Sequence, residues 1–453
     1  MKKPLLFVFA VLSTGLYAQE HFSGINTSRR VGMLNASVNP AELVNLKENY
    51  EVNLFNFSVN FSNNKATFGE LLGGGDEDFE DIIFAEDDPL NMRADIEIMG
   101  PAFGFKMGKW GFGVSTGAKV RADIVDLDVN LGRALTAEED GEEPLSELIN
   151  ANSNQKLSAT SWGEIGFSAA REVFSNEEHS ISAGVTFKLL FPGSYANMSA
   201  DQFTGTVNIT PLGDASLTDA TADVDIAYSG SLAEDFEDSS SYGKFFAGGL
   251  NGFATDIGVN YRWKDLADTT ATGYRLNAGL ALKNMGSMTF KDDNNVRRGY
   301  EMNIPDGENF DLNQFEDAEG FEEVEEILIN NPQYFTVINT TEDFKVKMPA
   351  VFSAYADVKA YGNWYATVYV QQKLNEDSNN DQIAVQNIVT FIPRYSARWF
   401  EAYIPMAHNE ISGFTAGFGF RVGGFFLGSG SALSAALGET QQADLYFGFR
   451  FGF

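Results

Sequence analysis

Cysteine is absent from these 453 residues, and histidine occurs only three times. The first absence excludes a disulfide scaffold, a thiolate metal site, an iron–sulfur cluster, a cysteine nucleophile and a lipid-modified N-terminal cysteine. Basic residues are scarce. The 31 Lys+Arg face 63 Asp+Glu, a formal net charge of -32, so nucleic acid is not an expected partner. Proline is sparse (12), whereas Phe (39) and Gly (44) are abundant, a balance that suits strands better than helices. Beyond the N-terminal stretch no run of 18 apolar residues occurs, so no membrane-spanning helix is expected. Apolar residues still make up 44 %, enough to bury a large core.

Residues 1–18, MKKPLLFVFAVLSTGLYA, have the form of a secretory signal peptide. Lys2 and Lys3 precede a short apolar run from Leu5 to Leu12, and Ala18 offers a small residue before a cut. Export is therefore expected.

What recurs along the rest is a period of two. Residues 253–263 place Phe253, Ile257, Val259, Tyr261 and Trp263 on one side, and Ala254, Asp256, Gly258, Asn260 and Arg262 on the other. The ending ADLYFGFRFGF and residues 110–120 split in the same way. Such alternation is the β-strand signal. The apolar faces tend to begin or end in an aromatic residue (Trp110, Trp263, Tyr274, Phe453), as at a membrane interface, and the other faces suit a hydrated lumen. A secreted sandwich or propeller also alternates, but within lipid every backbone group must be paired, and there only a closed barrel satisfies this pattern. The expected fold is all-β: a transmembrane antiparallel β-barrel of about 14 strands (12–16 allowed) in the outer membrane of a Gram-negative bacterium, with outer-membrane lipid around it. Candidate strands include 179–191, 195–209, 273–284 and 285–291 as separate stretches.

Acidic stretches separate the strands. Residues 76–88 hold eight carboxylates, 138–143 read EEDGEE, and 306–326 hold ten acidic residues with no Lys or Arg. Long loops face outward in such barrels, so these are expected to be extracellular. Thr136 with Glu139 fits a capping box, and Pro144 suits a helix start before LSELINAN. Residues 316–330 predict a helix with Phe321, Val324, Ile327 and Leu328 on one face.

A Gly/Asn/Ser-rich approach leads to Asn39, Pro40 and Ala41, and then to the strand YEVNLFNFSVNFSNN. This arrangement resembles the long-chain fatty-acid channel family and its Bacteroidota relatives PorV and PorQ of the type 9 secretion system. The segments FFAGGLNGFATDIGVNYRW and LALKNMGSMTF, with the closing GSGSALSAALGETQQADLYFGFRFGF, are similar to an uncharacterised Bacteroidota outer-membrane β-barrel family over nearly the whole chain. The terminal Phe453 resembles the C-terminal signal that barrel-assembly machinery reads. The resemblance implies a division into signal peptide (1–18), plug-like segment (19–49) and barrel (50–453), with Asn39, Pro40 and Ala41 at the turn from plug to wall. An ordinary turn before a strand is the plain alternative, since Pro40 fixes its own φ and extends Asn39. The acidic loops depart from the channels, and only Ile82, Ile83 and Phe84 offer a small greasy capture groove.

Chemistry is thinly represented. A GxSxG pattern spans Gly113 to Gly117 but lies inside an alternating strand, whereas a hydrolase needs a strand-to-helix elbow. His21, His179 and His408 form no evident triad with Ser115, so no catalytic residue is named and no enzyme is expected. Asp377, Asn379, Asn380 and Asp381 could offer oxygen ligands to calcium, but a solvated turn has the same composition. No metal or other cofactor is expected. Lys119, Lys188, Asp256, Arg262, Arg275, Asp357, Lys359, Arg421, Asp444 and Arg450 are expected to face the lumen and to pair there, because an unpaired buried charge is costly. Two functions follow: a plugged channel for uptake or export of a small apolar molecule, or a non-enzymatic docking barrel for secreted or surface proteins.

Overall fold

A computed structural model describes residues 21–72, 82–85, 87–136, 145–230, 249–267, 273–291, 295–315, 318, 320–438 and 440–453. The signal-peptide stretch, most of the acidic run 76–88, the EEDGEE run, Glu139 and Pro144 lie outside the described residues.

The wall begins with β1 (Tyr50–Asn63), β2 (Leu90–Met107) and β3 (Trp110–Leu127). The short β4 (Leu145–Asn150) precedes β5 (Gln155–Ser175), β6 (His179–Ile209) and β7 (Ala215–Ser229). Next come β8 (Gly252–Lys264), β9 (Tyr274–Phe290), β10 (Val296–Asp311), β11 (Phe335–Thr341) and β12 (Phe344–Lys347). Then follow β13 (Val351–Tyr361), β14 (Trp364–Lys373), β15 (Ile388–Ser396), β16 (Phe400–Tyr403) and β17 (Met406–Asn409). The last are β18 (Gly413–Ala416), β19 (Phe418–Val422), β20 (Phe425–Ser429) and β21 (Gln442–Gly452).

All pair antiparallel in one sheet, and β21 returns to pair with β1. Taking β16 with β17 and β18 with β19 as single broken strands, and leaving out β4, β7, β10, β11 and β12, the circuit has fourteen staves among the described residues. The period-two pattern is the cause of this geometry. Phe253, Ile257, Val259 and Trp263 are exposed on the outside, while Ala254, Asp256, Asn260 and Arg262 are buried inside. Trp110, Trp263, Tyr361, Trp364, Trp399 and Phe453 expose their rings at the end that carries the short turns, as an interfacial girdle does. Tyr274 departs from expectation. It is buried, and its hydroxyl donates to Asp357 inside the barrel.

The opposite end rises above the barrel. The expected break between 191 and 195 does not occur, because β6 runs unbroken for 31 residues, roughly 100 Å at strand rise. Pro192 is accommodated where the register with β5 shifts. Residues 285–291 likewise extend β9 rather than forming a new strand. The upper part of β6 pairs with β7 and β4, β7 with β10, and β10 with β11. One face of this outer sheet packs Phe203, Leu217, Ile226 and Tyr300 against Phe321, Val324 and Leu328 of the helix Phe321–Asn330. Residues 145–150, expected as helix, pair with β6 instead, where Ile149 is buried in the apolar cluster of the outer sheet.

Candidate functional site: the filled lumen and the interrupted wall

Residues 21–49 pack inside the ring. A helix (Met33–Val38) is followed by a 3-10 turn (Pro40–Asn45), for which the Asn39 side chain accepts the Ala41 N–H at 3.0 Å. The Asn39 Nδ2 donates to the Val259 carbonyl at 2.9 Å. Glycines of the wall make room for the turn. A Cβ at Gly258 would lie 2.0 Å from Asn39 Oδ1, and one at Gly184 would lie 2.5 Å from Ala41 N. Asn39, Pro40 and Ala41 therefore sit against the inner wall at β6, β8 and β9, and the wall itself starts only at Tyr50. The expected turn into the wall is a helix start instead.

Polar contacts hold the segment on several sides. The buried Glu42 carboxylate accepts from Asn45, Asn260 and Asn277 at 2.8–2.9 Å, and from the Tyr355 hydroxyl. Ser28 donates to Glu401 at 2.9 Å, and Arg30 donates to Ser396 at 2.9 Å. Phe22 packs its ring near Phe426 and Tyr446.

The charges expected in the lumen are mostly there. They pair along the wall, between neighbouring staves or, for Asp357 and Arg394, across the one stave between them, since residues 21–49 occupy the space between opposite sides. Lys119 lies 3.3 Å from Glu97 and 3.6 Å from Glu164. Lys188 meets Asp256 at 2.9 Å, and Arg421 meets Glu401 at 2.6 Å. Arg450 meets Glu51 at 2.9 Å, and Asp357 receives Arg394 at 2.5 Å. Arg262 is buried with no ion pair among the described residues. Asp444 takes no cation either; its carboxylate accepts from Gly430 N–H, Ser431 and Ser429 at 2.6–3.0 Å.

Arg275 is a correction. The register shifts between Trp263 and Lys264, which turns Arg275 outward over the Trp263 ring at 5.6 Å. Nearby, Lys359 donates to Asp265 at 2.6 Å and holds that carboxyl below its usual range. Phe453 seals the seam: its N–H and carbonyl pair with those of Tyr50 at 3.0 Å each.

Other expectations sort quickly. Gly113–Gly117 lies within β3, with no elbow. The carbonyls of Asp377 and Asn379 accept from the Lys156 ammonium, and Lys373 meets the Asp377 carboxylate at 2.8 Å, so those oxygens serve lysines. Ile83 and Phe84 are buried with Phe61, Phe68 and Ala443 rather than lining an open groove. Glu42, Glu401 and Lys283 were not anticipated. Glu401 alternates with Phe400 and Ala402, which is the one signal that placed it inward. Lys283, with Lys119 and Glu97, lines two adjoining cavities of about 110 and 80 Å³.

Among the described residues the wall is interrupted at one place. β20 pairs with β19 and with residues 446–449 of β21, then ends. Above it, β18 pairs only with β17, and residues 442–445 of β21 pair only with β1. The short helix Ala432–Ala436 fills this gap. Side chains fasten it: Ser434 bonds Ala416, Asp444 holds Gly430 and Ser431, and Asn409 and Ser412 donate to Gln442.

A closed ring, apolar outside and polar inside, defines a transmembrane β-barrel. Within that class the chain belongs to a family of unknown function, DUF5723, whose sequence pattern matches residues 40–430. No curated protein matches it. Among solved structures it is similar to a TodX deltaS2S3 mutant, a monoaromatic hydrocarbon channel. The identity is 9 % and the TM-score 0.46, with 92 % of this chain and 94 % of the other covered. The P. putida toluene transporter TodX gives 8 % identity and a TM-score of 0.42, covering 93 % and 94 %. A Pseudomonas aeruginosa FadL homologue gives 8 % and 0.42, covering 96 % and 98 %.

Proposed function

We propose that this protein is an outer-membrane channel for a small apolar molecule, with residues 21–49 as its plug. The observation that carries this reading is the interruption between β18 and β21. Lipid contact demands a continuous backbone ladder, and here side chains stand in for one. A straight route through the lumen suits an apolar solute poorly, because Lys119, Glu97, Lys188 and Asp256 line the cavities there. Displacing such pairs without replacing their partners is costly. The cluster of Phe61, Phe68, Ile83, Phe84 and Ala443 reaches the edge of the interruption and offers an apolar path. On this reading solute leaves sideways into the hydrocarbon layer while the plug blocks water and ions.

The absence of cysteine makes the test clean. A Ser412→Cys/Gln442→Cys chain would carry one thiol pair across the interruption. Uptake of radiolabelled toluene is measured in vesicles with lipopolysaccharide in the outer leaflet. The expected result is uptake above protein-free vesicles, lost on oxidation and restored by reductant. Uptake no higher than in protein-free vesicles overturns the channel. Uptake indifferent to the bridge overturns the sideways route.

A further inference from the structure

The outer sheet ends in an unprotected edge, and this goes beyond the channel reading. Strand β11 reads FTVINTT, with five β-branched residues, no charge and no proline. It pairs with β10 on one side, and no backbone bond joins its residues 336–341 to any other strand among the described residues. Thr336 to Thr341 are all exposed; Val337 and Ile338 are 50 % and 54 % exposed. Edge strands in native proteins are ordinarily blunted by lysine, proline or a covering element, because their free N–H and C=O groups invite another strand. The one such device here is a register shift around Ile338.

We propose that β11 docks an extended, cationic polypeptide segment of another protein, which adds as a sixth strand beyond the order β4–β6–β7–β10–β11. The charge around the edge selects the occupant. Glu301 lies opposite Thr336, Asp306, Glu308 and Asp311 lie further along β10, and Glu342 and Asp343 follow β11 directly, all exposed, whereas Arg297 and Arg298, opposite Thr341 and Thr340, are half-buried and paired with Asp225 and Glu325. A second copy of this chain would bring the same acidic rim and a net charge of -32 against it, which opposes self-pairing. A basic segment gains from the rim, while main-chain bonds supply the register-independent part of the affinity.

The test uses the full-length protein in detergent micelles with two synthetic ten-residue peptides, alternating Lys-Val and alternating Glu-Val. Hydrogen exchange reports on those amides of 336–341 that point away from β10 and so bond no strand in the free protein. Fast exchange in the free protein, slowed at least tenfold by the Lys-Val peptide and not by the Glu-Val peptide, is expected. Slow exchange without peptide means the chain already covers this edge and overturns the proposal. Val337→Pro removes an edge donor, and Ile338→Lys adds a repelling charge. Each is expected to weaken Lys-Val binding at least tenfold. Equal binding to both variants and the parent means that the peptide merely adheres to acidic surface, which also overturns it.

Discussion

The hydroxyl of Tyr355, on the wall, donates to the carboxylate of Glu42, which lies 313 positions earlier in the segment inside the ring. Three asparagine amides complete the cage around that carboxylate, at 2.8–2.9 Å. Glu42→Ala leaves these buried donors without their shared acceptor. Leaving a buried donor unsatisfied destabilises by roughly 1–3 kcal/mol. Limited proteolysis should then cleave residues 21–49 markedly faster while the barrel stays intact. Unchanged cleavage would show that Glu42 does not anchor the segment.

Arg421 and Glu401 face each other across β16 and β19, and Ser28 reaches the same carboxylate. Arg421→Met leaves the buried Glu401 carboxylate only the more distant Arg30, at 3.9 Å, and breaking a buried pair costs about 3–5 kcal/mol. The double change Glu401→Leu/Arg421→Met removes both charges and is expected to recover most of that loss. Thermal unfolding in detergent separates the two; equal melting temperatures would sink the argument.

Gly258 leaves space for Asn39, whose Oδ1 would stand 2.0 Å from an added Cβ. Gly258→Val is therefore expected to push the turn at Asn39–Ala41 off the wall. Cells carrying it should become more sensitive to small hydrophilic antibiotics than cells with the parent protein. If sensitivity does not change, the turn is not a barrier to solute.

Phe453 closes the seam through two backbone bonds to Tyr50, and their rings stack at 5.8 Å. Deleting Phe453 should lower the amount of protein assembled in the outer membrane several-fold. Refolding of the purified chain into detergent should suffer far less. Equal losses in both would make the residue a structural seal with no part in recognition.

The wall was legible because side-chain alternation is a local property. Phe253 to Trp263 declare their faces without reference to any partner. Register shifts are not local, and so Arg275 and Tyr274 traded sides unannounced near Trp263. The expected break between 191 and 195 is instead a register shift, with two residues of β6 set against one of β5, and the strand continues through it. The contacts of Glu42 depend on Asn260, Asn277 and Tyr355 meeting at one point, and nothing in the spacing of those residues announces it. Of the acidic run 306–326, Asp306, Glu308 and Asp311 lie on β10 and Glu322 to Glu326 on the helix, because both pack into a sheet that composition alone does not announce.

The ring shuts only when β21, the last strand, finds β1, the first. The segment that packs inside is joined directly to β1. Its tether, Asn49, therefore adjoins Tyr50, the residue whose backbone bonds to Phe453 close the ladder. Closing the ring and anchoring what fills it thus fall to the same corner of the molecule, so a change there bears on both at once.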